Sequence, residues 1–163
     1  MKLNRTNMLN ATFGLFLVLL LVAVLVAISN RWFIYSINVT HSLNGTVYVI
    51  RKGEKVKKGD YVGFRWKGDQ LYSSGATFVK IVSGVPGDNV SLDGRKVYVN
   101  GKFIGIAKEK SARGIPLEPI KPTIIKDGEI FVSTPAKDGY DSRYERVGLI
   151  KESAILGKAY ELF

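Results

Sequence analysis

Residues 11–28 read ATFGLFLVLLLVAVLVAI and contain no charged side chain. A helix on the surface of a soluble protein needs a polar stripe opposite its apolar one, and this run has none. At about 1.5 Å of rise per residue it spans roughly 27 Å, close to the thickness of a bilayer core. The segment 11–29 therefore reads as a transmembrane helix. Lys2 and Arg5 precede it with no acidic residue before the run. The positive-inside rule then holds residues 1–10 in the cytoplasm and sends residues 30–163 to the outer face. Arg31, Trp32 and Tyr35 follow, as in an interfacial belt. Ala27-Ile28-Ser29 also meets the small-x-small pattern of a cleaved signal peptide, but the run exceeds the usual apolar core of about 7–15 residues in such peptides.

Composition narrows the chemistry of the remaining chain. There is no cysteine, so disulfides, thiolate metal sites and a cysteine nucleophile are excluded. A single histidine, His41, argues against a histidine metal cluster, and neither a metal nor a cofactor is expected. The 24 Lys and Arg against 14 Asp and Glu leave a net charge of +10, which suits nucleic acid or an anionic membrane surface. The basic residues are scattered rather than gathered with aromatics on one face, so no nucleic-acid partner is expected and lipid is favoured.

After residue 30 the chain is organised by alternation. Candidate strands are 46–51, 61–66, 76–82, 89–92, 96–99, 102–107 and 129–134. Asp93-Gly94 and Asn100-Gly101 lie between alternating runs, a strong hairpin signal, and Pro86-Gly87-Asp88 is a turn. Residues 108–122, KEKSARGIPLEPIKP, read as a loop. Residues 152–163 read as a helical turn and a last strand. The fold class is mainly β: one N-terminal transmembrane helix and one all-β, partly barrel-like domain over 30–163.

Lys80 is the anomaly in this pattern. In ATFVKIV it shares a face with Phe78 and Val82, while Thr77, Val79 and Ile81 take the other. Burial without a partner favours the neutral amine, and a neutral amine is a base. An isolated lysine of this kind can also snorkel from an edge strand. A lysine base is used with a serine nucleophile in one variant of the serine-protease arrangement. Spacing does not choose among the serines, but Ser42 lies about a dozen residues beyond the anchor, near the bilayer surface. His41 is adjacent, yet successive side chains of an extended chain point apart, and it reads as a solvated loop residue. Asn10, Asn38 and Asn44 each begin an Asn-x-Thr triplet, a glycosylation pattern short enough to arise by chance.

VKIVSGVPGD (79–88) resembles the lysine motif of the bacterial type I signal peptidases, K-R-V-[IV]-G-x-P-G-D. DGYDSRYERVGLI (138–150) followed by LGKA (156–159) is similar to that family's Asp-Ser-Arg box and closing G-[KR]-A. NVTHSLNGTVY (38–48) resembles the nucleophile region of the conjugative-transfer (TraF-type) branch, N-x-[ST]-x-S-[ML]-P-x-G-x-Y. The order of anchor, serine, lysine and box also agrees. Four departures stand out. Asn44 replaces a proline, with Gly45 one position early. Ser83 replaces a small apolar residue, Glu145-Arg146 replaces an aromatic-glycine pair, and Gly139 stands where housekeeping enzymes carry a serine that positions the lysine.

The resemblance implies a membrane-anchored serine endopeptidase with Ser42 as nucleophile and Lys80 as general base. The Ser42 backbone N–H and the Thr40 hydroxyl would form the oxyanion hole. Asp141, with Arg143 as its ion partner, would order the region around the lysine; the same pair can equally be a plain structural salt bridge. It implies a bacterial cytoplasmic-membrane location, with exported precursors or a pilin as substrate and type IV secretion components as candidate partners. The short outer domain and the Asn-x-Thr-x-Ser pattern lean toward conjugative pilin maturation, with cyclisation in some relatives. The alternatives are a housekeeping signal peptidase and an inactive membrane-anchored scaffold of a secretion apparatus.

Overall fold

A computed structural model describes residues 5–40 and 42–163; His41, read above as a loop residue, lies outside the described residues. The chain divides into two units, residues 1–33 and 34–163.

The first unit is helix α1, Arg5–Trp32. It starts before the segment 11–29 and ends after it, so residues 5–10 of the expected tail are helical. Within it, Met8–Trp32 has a mean hydropathy of 3.0 and is long and apolar enough to cross a membrane. Arg31 in the last turn suits the negative end of the helix dipole. The helix gives way to the β-prone run Phe33-Ile34-Tyr35.

The second unit is built from eleven strands, of which β1 (Phe33–Ile37) takes its first residue from the preceding unit. Those that follow are β2 (Val47–Lys52), β3 (Tyr61–Arg65), β4 (Thr77–Gly84), β5 (Asn89–Asp93) and β6 (Lys96–Val99). Then come β7 (Lys102–Ile106), β8 (Thr123–Ile124), β9 (Glu129–Ser133), β10 (Ile150–Lys151) and β11 (Ile155–Glu161), with a 3-10 turn at Glu152–Ala154 before the last. A seven-stranded sheet runs β1-β2-β11-β3-β4-β9-β10, and a four-stranded sheet runs β7-β6-β5-β8. The turn chemistry acts as expected. Asn100 and Gly101 both take positive φ, 50° and 75°, which matches the right-handed twist of the β6–β7 hairpin. Three strands were not foreseen. β8 and β10 have two residues each, too few for a period, and β1 merges with the aromatic end of the apolar run.

Alternation along β4 splits its side chains between two clusters. Val79 and Ile81 pack with Leu43, Tyr48, Ile50 and Ala159. Phe78 and Val82 pack into the larger core with Val62, Phe64, Trp66 and Phe131, where each fully buried side chain contributes roughly 1.5–3 kcal/mol. Lys80 projects on the Phe78 and Val82 face, and Val62 of β3 is its cross-strand partner. The β4–β9 pairing begins only at Ile81 and Ser133. The β9 side of Thr77–Lys80 is therefore left without a strand neighbour, and the candidate site opens there.

Candidate active site

Lys80 is 5% exposed. Val62, Phe78 and Val82 surround its strand position with apolar surface, and its Nζ lies 5.6 Å from the Phe78 ring centre. Its hydrogen-bond partner is Ser42 Oγ, at 3.0 Å. Burial lowers the ammonium pKa from 10.5 to about 8; the negative charge of Asp141 opposes that shift and the positive charge of Arg143 adds to it. The amine is thus a base that can be neutral near physiological pH. It sits within proton-transfer distance of a hydroxyl that is itself only 5% exposed.

Ser42 is presented by the loop between β1 and β2. The loop is closed by Asn38 N–H donating to Thr46 O at 2.8 Å. Thr46 and Val47 donate their N–H groups to the Phe163 carbonyl at 2.5 and 3.1 Å, which ties the loop to the end of β11. Leu43 is 5% exposed and anchors the loop in the smaller core. Gly45 N–H donates to Tyr48 Oη at 3.1 Å; burial raises that phenol to about 12, so it remains a hydroxyl. A Cβ at Gly45 would overlap the Glu161 side chain of β11 and Tyr48 Oη, so a larger residue there would have to push both aside. Thr40 Oγ1 lies 3.2 Å from Ser42 Oγ and 3.4 Å from Asn38 Oδ1. Its single proton can serve one of these acceptors at a time. Among the described residues, none accepts from the Ser42 N–H.

Asp141 and Arg143 form a buried ion pair, at 0% and 2% exposure, with Nε 2.8 Å from Oδ1. Asp141 Oδ1 also accepts from Arg143 N–H, and Oδ2 accepts from Arg143 Nη2 and from the N–H and hydroxyl of Thr134. Arg143 Nη2 closes the 134–141 loop by donating to the carbonyls of Ala136 and Gly139 at 3.0 and 2.9 Å. Ser142 docks the box on β9: its N–H donates to Val132 O, and its hydroxyl accepts from Val132 N–H. The carboxylate is therefore saturated by Arg143 and Thr134, and it acts on Lys80 through charge.

The departures from the family pattern have local explanations. A Cβ at Gly139 would overlap Thr134 Oγ1. The hydroxyl that fills that space is Thr134's, and it donates to Asp141 at 3.1 Å. Ser83 pairs with Ser133, Oγ to Oγ 2.6 Å, across β4 and β9, so the polar group in the lysine motif comes with its partner. Glu145 pairs with Lys121 at 2.8 Å and Arg146 reaches Gln70; both face outward and tie down neighbouring loops. Gly87 and Asp88 form the expected turn, with Gly87 at φ 88° and Asp88 Oδ2 accepting from Val85 N–H and Lys58.

Sequence reasoning passed over two participants. Asn38 entered only as the start of a glycosylation triplet and as the first position of the Asn-x-Thr-x-Ser pattern, with no role of its own, and Thr134 only as the end of a strand. Their partners lie across loops, where no local period signals them.

A cavity of about 240 Å³ opens on Ser42 and Lys80. Tyr72, Phe78, Val79 and Tyr140 form its apolar wall, and Gly139 and Ala136 leave part of its rim low. Tyr72 and Tyr140 are held by ring contacts with each other and, for Tyr72, with Phe78. The Tyr140 hydroxyl donates to Asp69, whose other oxygen caps the N–H groups of Leu71 and Tyr72.

The family model described as signal peptidase, peptidase S26, matches residues 6–163 of this chain. The chain belongs to that family. Membership covers the helix and the β unit alike. The chain is also similar to the probable signal peptidase I-2 of Synechocystis sp., with 31% identity over 87 residues, 53% of this chain and 38% of that protein. The matched part is thus well under half the length of that relative. A solved signal peptidase I from Enterococcus faecalis V583 aligns with 64% of this chain and 97% of its own, at 20% identity and a TM-score of 0.40.

Proposed function

We propose that this S26-family chain is a membrane-anchored serine endopeptidase in which Ser42 is the nucleophile and Lys80 the general base. The observation that carries the reading is the 3.0 Å contact between Lys80 Nζ and Ser42 Oγ in a site that strips water from the amine. Helix α1 anchors the chain. Lys2 and Arg5 hold the preceding segment in the cytoplasm, and the β unit works at the outer face of a bacterial cytoplasmic membrane.

The reaction runs through an acyl-enzyme. Neutral Lys80 takes the Ser42 hydroxyl proton as Oγ attacks the scissile carbonyl. The developing oxyanion is received by the Ser42 N–H and by the Thr40 hydroxyl once it turns from Ser42 Oγ; one such donor is worth roughly 3–4 kcal/mol. The Lys80 ammonium then protonates the leaving amine, and the neutral amine activates the water that releases the acyl group. Asp141 and Arg143 position the strand end beside the lysine and set its local field. The substrate enters extended along the unpaired side of Thr77–Lys80, with backbone hydrogen bonds for affinity. Small side chains before the cut fit a cavity of this size.

Two substrate classes follow from the same site. One is the set of exported precursors, whose leader peptides are removed. The other is a conjugative pilin, which the Asn38-x-Thr40-x-Ser42 pattern favours. Intact mass measurement of precursor and pilin in cells carrying wild type, Ser42→Ala and Lys80→Ala tests the reading. A shortened product in wild type alone supports it, and a pilin one water lighter than the linear fragment reveals cyclisation. Identical processing in all three strains refutes it in favour of a scaffold.

A further inference from the structure

The nucleophile loop lacks the proline that would stiffen position 44, yet the carbonyls on either side of Asn44 are both held. Asn38 Nδ2 donates to Leu43 O at 2.9 Å and to Gly45 O at 2.9 Å. Two carbonyl oxygens can only accept, so the amide nitrogen must face them and the amide oxygen must face the other way. That oxygen lies 3.4 Å from Ser42 Oγ and 3.4 Å from Thr40 Oγ1. One side chain therefore spans the loop, with its donors on the backbone and its acceptor on the two hydroxyls of the site. Backbone closure at Asn38 N–H to Thr46 O fixes the base of the same side chain.

The acceptor matters because Ser42 has two hydrogen-bonding states. When Lys80 is an ammonium, Nζ donates to Ser42 Oγ and the serine proton needs another acceptor. When Lys80 is neutral, the serine donates to Nζ and is ready to attack. Two acceptors are in reach for the first state, Asn38 Oδ1 at 3.4 Å and Thr40 Oγ1 at 3.2 Å, and a Thr40 hydroxyl that accepts from Ser42 passes its own proton to Asn38 Oδ1 at 3.4 Å, so both routes end on the amide oxygen. Resting on the reading of Ser42 as nucleophile and Lys80 as base, we infer that Asn38 is a positioning residue. Its amide nitrogen replaces the missing proline by bracing the loop around Asn44, and its amide oxygen receives the Ser42 proton in the idle state.

Two variants separate this role from a general loss of fold. Asn38→Leu keeps the approximate shape and removes all four contacts. Asn38→Asp keeps an oxygen toward Ser42, sets a second one against the Leu43 and Gly45 carbonyls, and adds a negative charge within two hydrogen bonds of Lys80. Among the described residues, the charged or titratable groups around the loop and its cavity are Lys80 from β4, Asp138, Tyr140, Asp141 and Arg143 from the segment after β9, Tyr72 from the segment before β4, Tyr48 from β2, Tyr61 from β3 and Glu161 from β11; His41 adjoins Ser42 in sequence. All are unchanged in both variants. The assay is cleavage of a leader-bearing precursor by the full chain in detergent micelles, as kcat and KM from pH 6 to 10, with Ser42→Ala in parallel.

For Asn38→Leu, kcat is expected to fall by up to about 100-fold, the cost that a misplacement of about 1 Å can carry, and by at least about tenfold, with KM changed less than about twofold. The pH at half-maximal activity should move down in Asn38→Leu, because the protonated state loses its acceptor. In Asn38→Asp it should move up by about one unit, because an added carboxylate favours the ammonium. A defect of folding alone moves neither midpoint. Wild-type kcat in Asn38→Leu with an inactive Ser42→Ala overturns the inference alone, as do midpoints unmoved in both variants. If Asn38→Leu fails to fold, an unmoved midpoint in Asn38→Asp overturns it. Full activity in Ser42→Ala overturns the nucleophile assignment and this inference with it.

Discussion

Replacing Lys80 by methionine should make the protein more stable while abolishing its activity. The ammonium is buried among Val62, Phe78 and Val82, and its pKa falls from 10.5 to about 8. At about 1.36 kcal/mol per pH unit separating the two values, burying the charged form costs about 3 kcal/mol. The unfolded chain holds its proton up to the higher value, so it binds more protons than the native state between about pH 8 and 10.5. Stability must therefore rise with pH across that window, and the full cost applies below it. Methionine fills nearly the same space without the charge. It forfeits the hydrogen bond to Ser42, worth about 1 kcal/mol, and leaves no orphan ion, because Asp141 is already paired with Arg143. The net gain near pH 7 is about 2 kcal/mol, or roughly 5–10 °C in Tm for a domain of this size. The assay is thermal unfolding of full chains in detergent micelles from pH 6.5 to 10, followed by near-UV circular dichroism. The Lys80→Met protein should melt higher at pH 7 and lack the rise above pH 8. A variant that melts lower than wild type at pH 7 and keeps the same rise would refute the claim that Lys80 is the desolvated group.

Other expectations follow from the same contacts. The kcat/KM of wild type should rise as pH passes about 8, because depletion of the ammonium exposes the base, and Lys80→Arg should be inactive across the range since guanidinium stays protonated; measurable turnover in Lys80→Arg eliminates the base. Asp141→Asn leaves the Arg143 charge buried without its counterion and should cost about 3–5 kcal/mol in urea unfolding; a loss below about 1 kcal/mol shows that water reaches the pair. Gly139→Ser should displace the Thr134 hydroxyl from Asp141 and cost about 2 kcal/mol, as a hydrogen bond to a charged group does. Adding Thr134→Ala should restore most of that, a coupling of at least about 1 kcal/mol in a double-mutant cycle; strict additivity would mean the two side chains do not compete for one space.

Much of this protein is legible from local pattern. The apolar run is helical because nothing in it opposes a helix, although the helix outruns it, from Arg5 to Trp32. The seven internal strands foreseen from alternation all form within about one residue of their expected starts. Asn100-Gly101 turns the chain because both residues tolerate positive φ. The anomaly of Lys80 was also visible, since alternation alone sets it between Phe78 and Val82.

What lay beyond local pattern is the set of relations made across loops, of which the family resemblance alone anticipated Ser42 with Lys80 and Asp141 with Arg143. That Ser42, of all the serines, meets Lys80 follows from the pairing of β2, β11, β3 and β4, which carries a loop residue to a strand 38 positions later. Whether Asp141 would be a surface ion pair or a buried one depended on β9 and Arg143 enclosing it. Neither Asn38, though it opens the Asn-x-Thr-x-Ser pattern, nor Thr134 has a legible role in sequence, because a carboxamide or hydroxyl acquires meaning only from the atoms that face it. Period and turn chemistry are short-range properties of the backbone, so the sequence by itself determined the helix and most of the strands, while β1, β8 and β10 waited on their neighbours. Desolvation and hydrogen-bond partnership are properties of packed surfaces, so the chemistry of the site was decided by the tertiary structure.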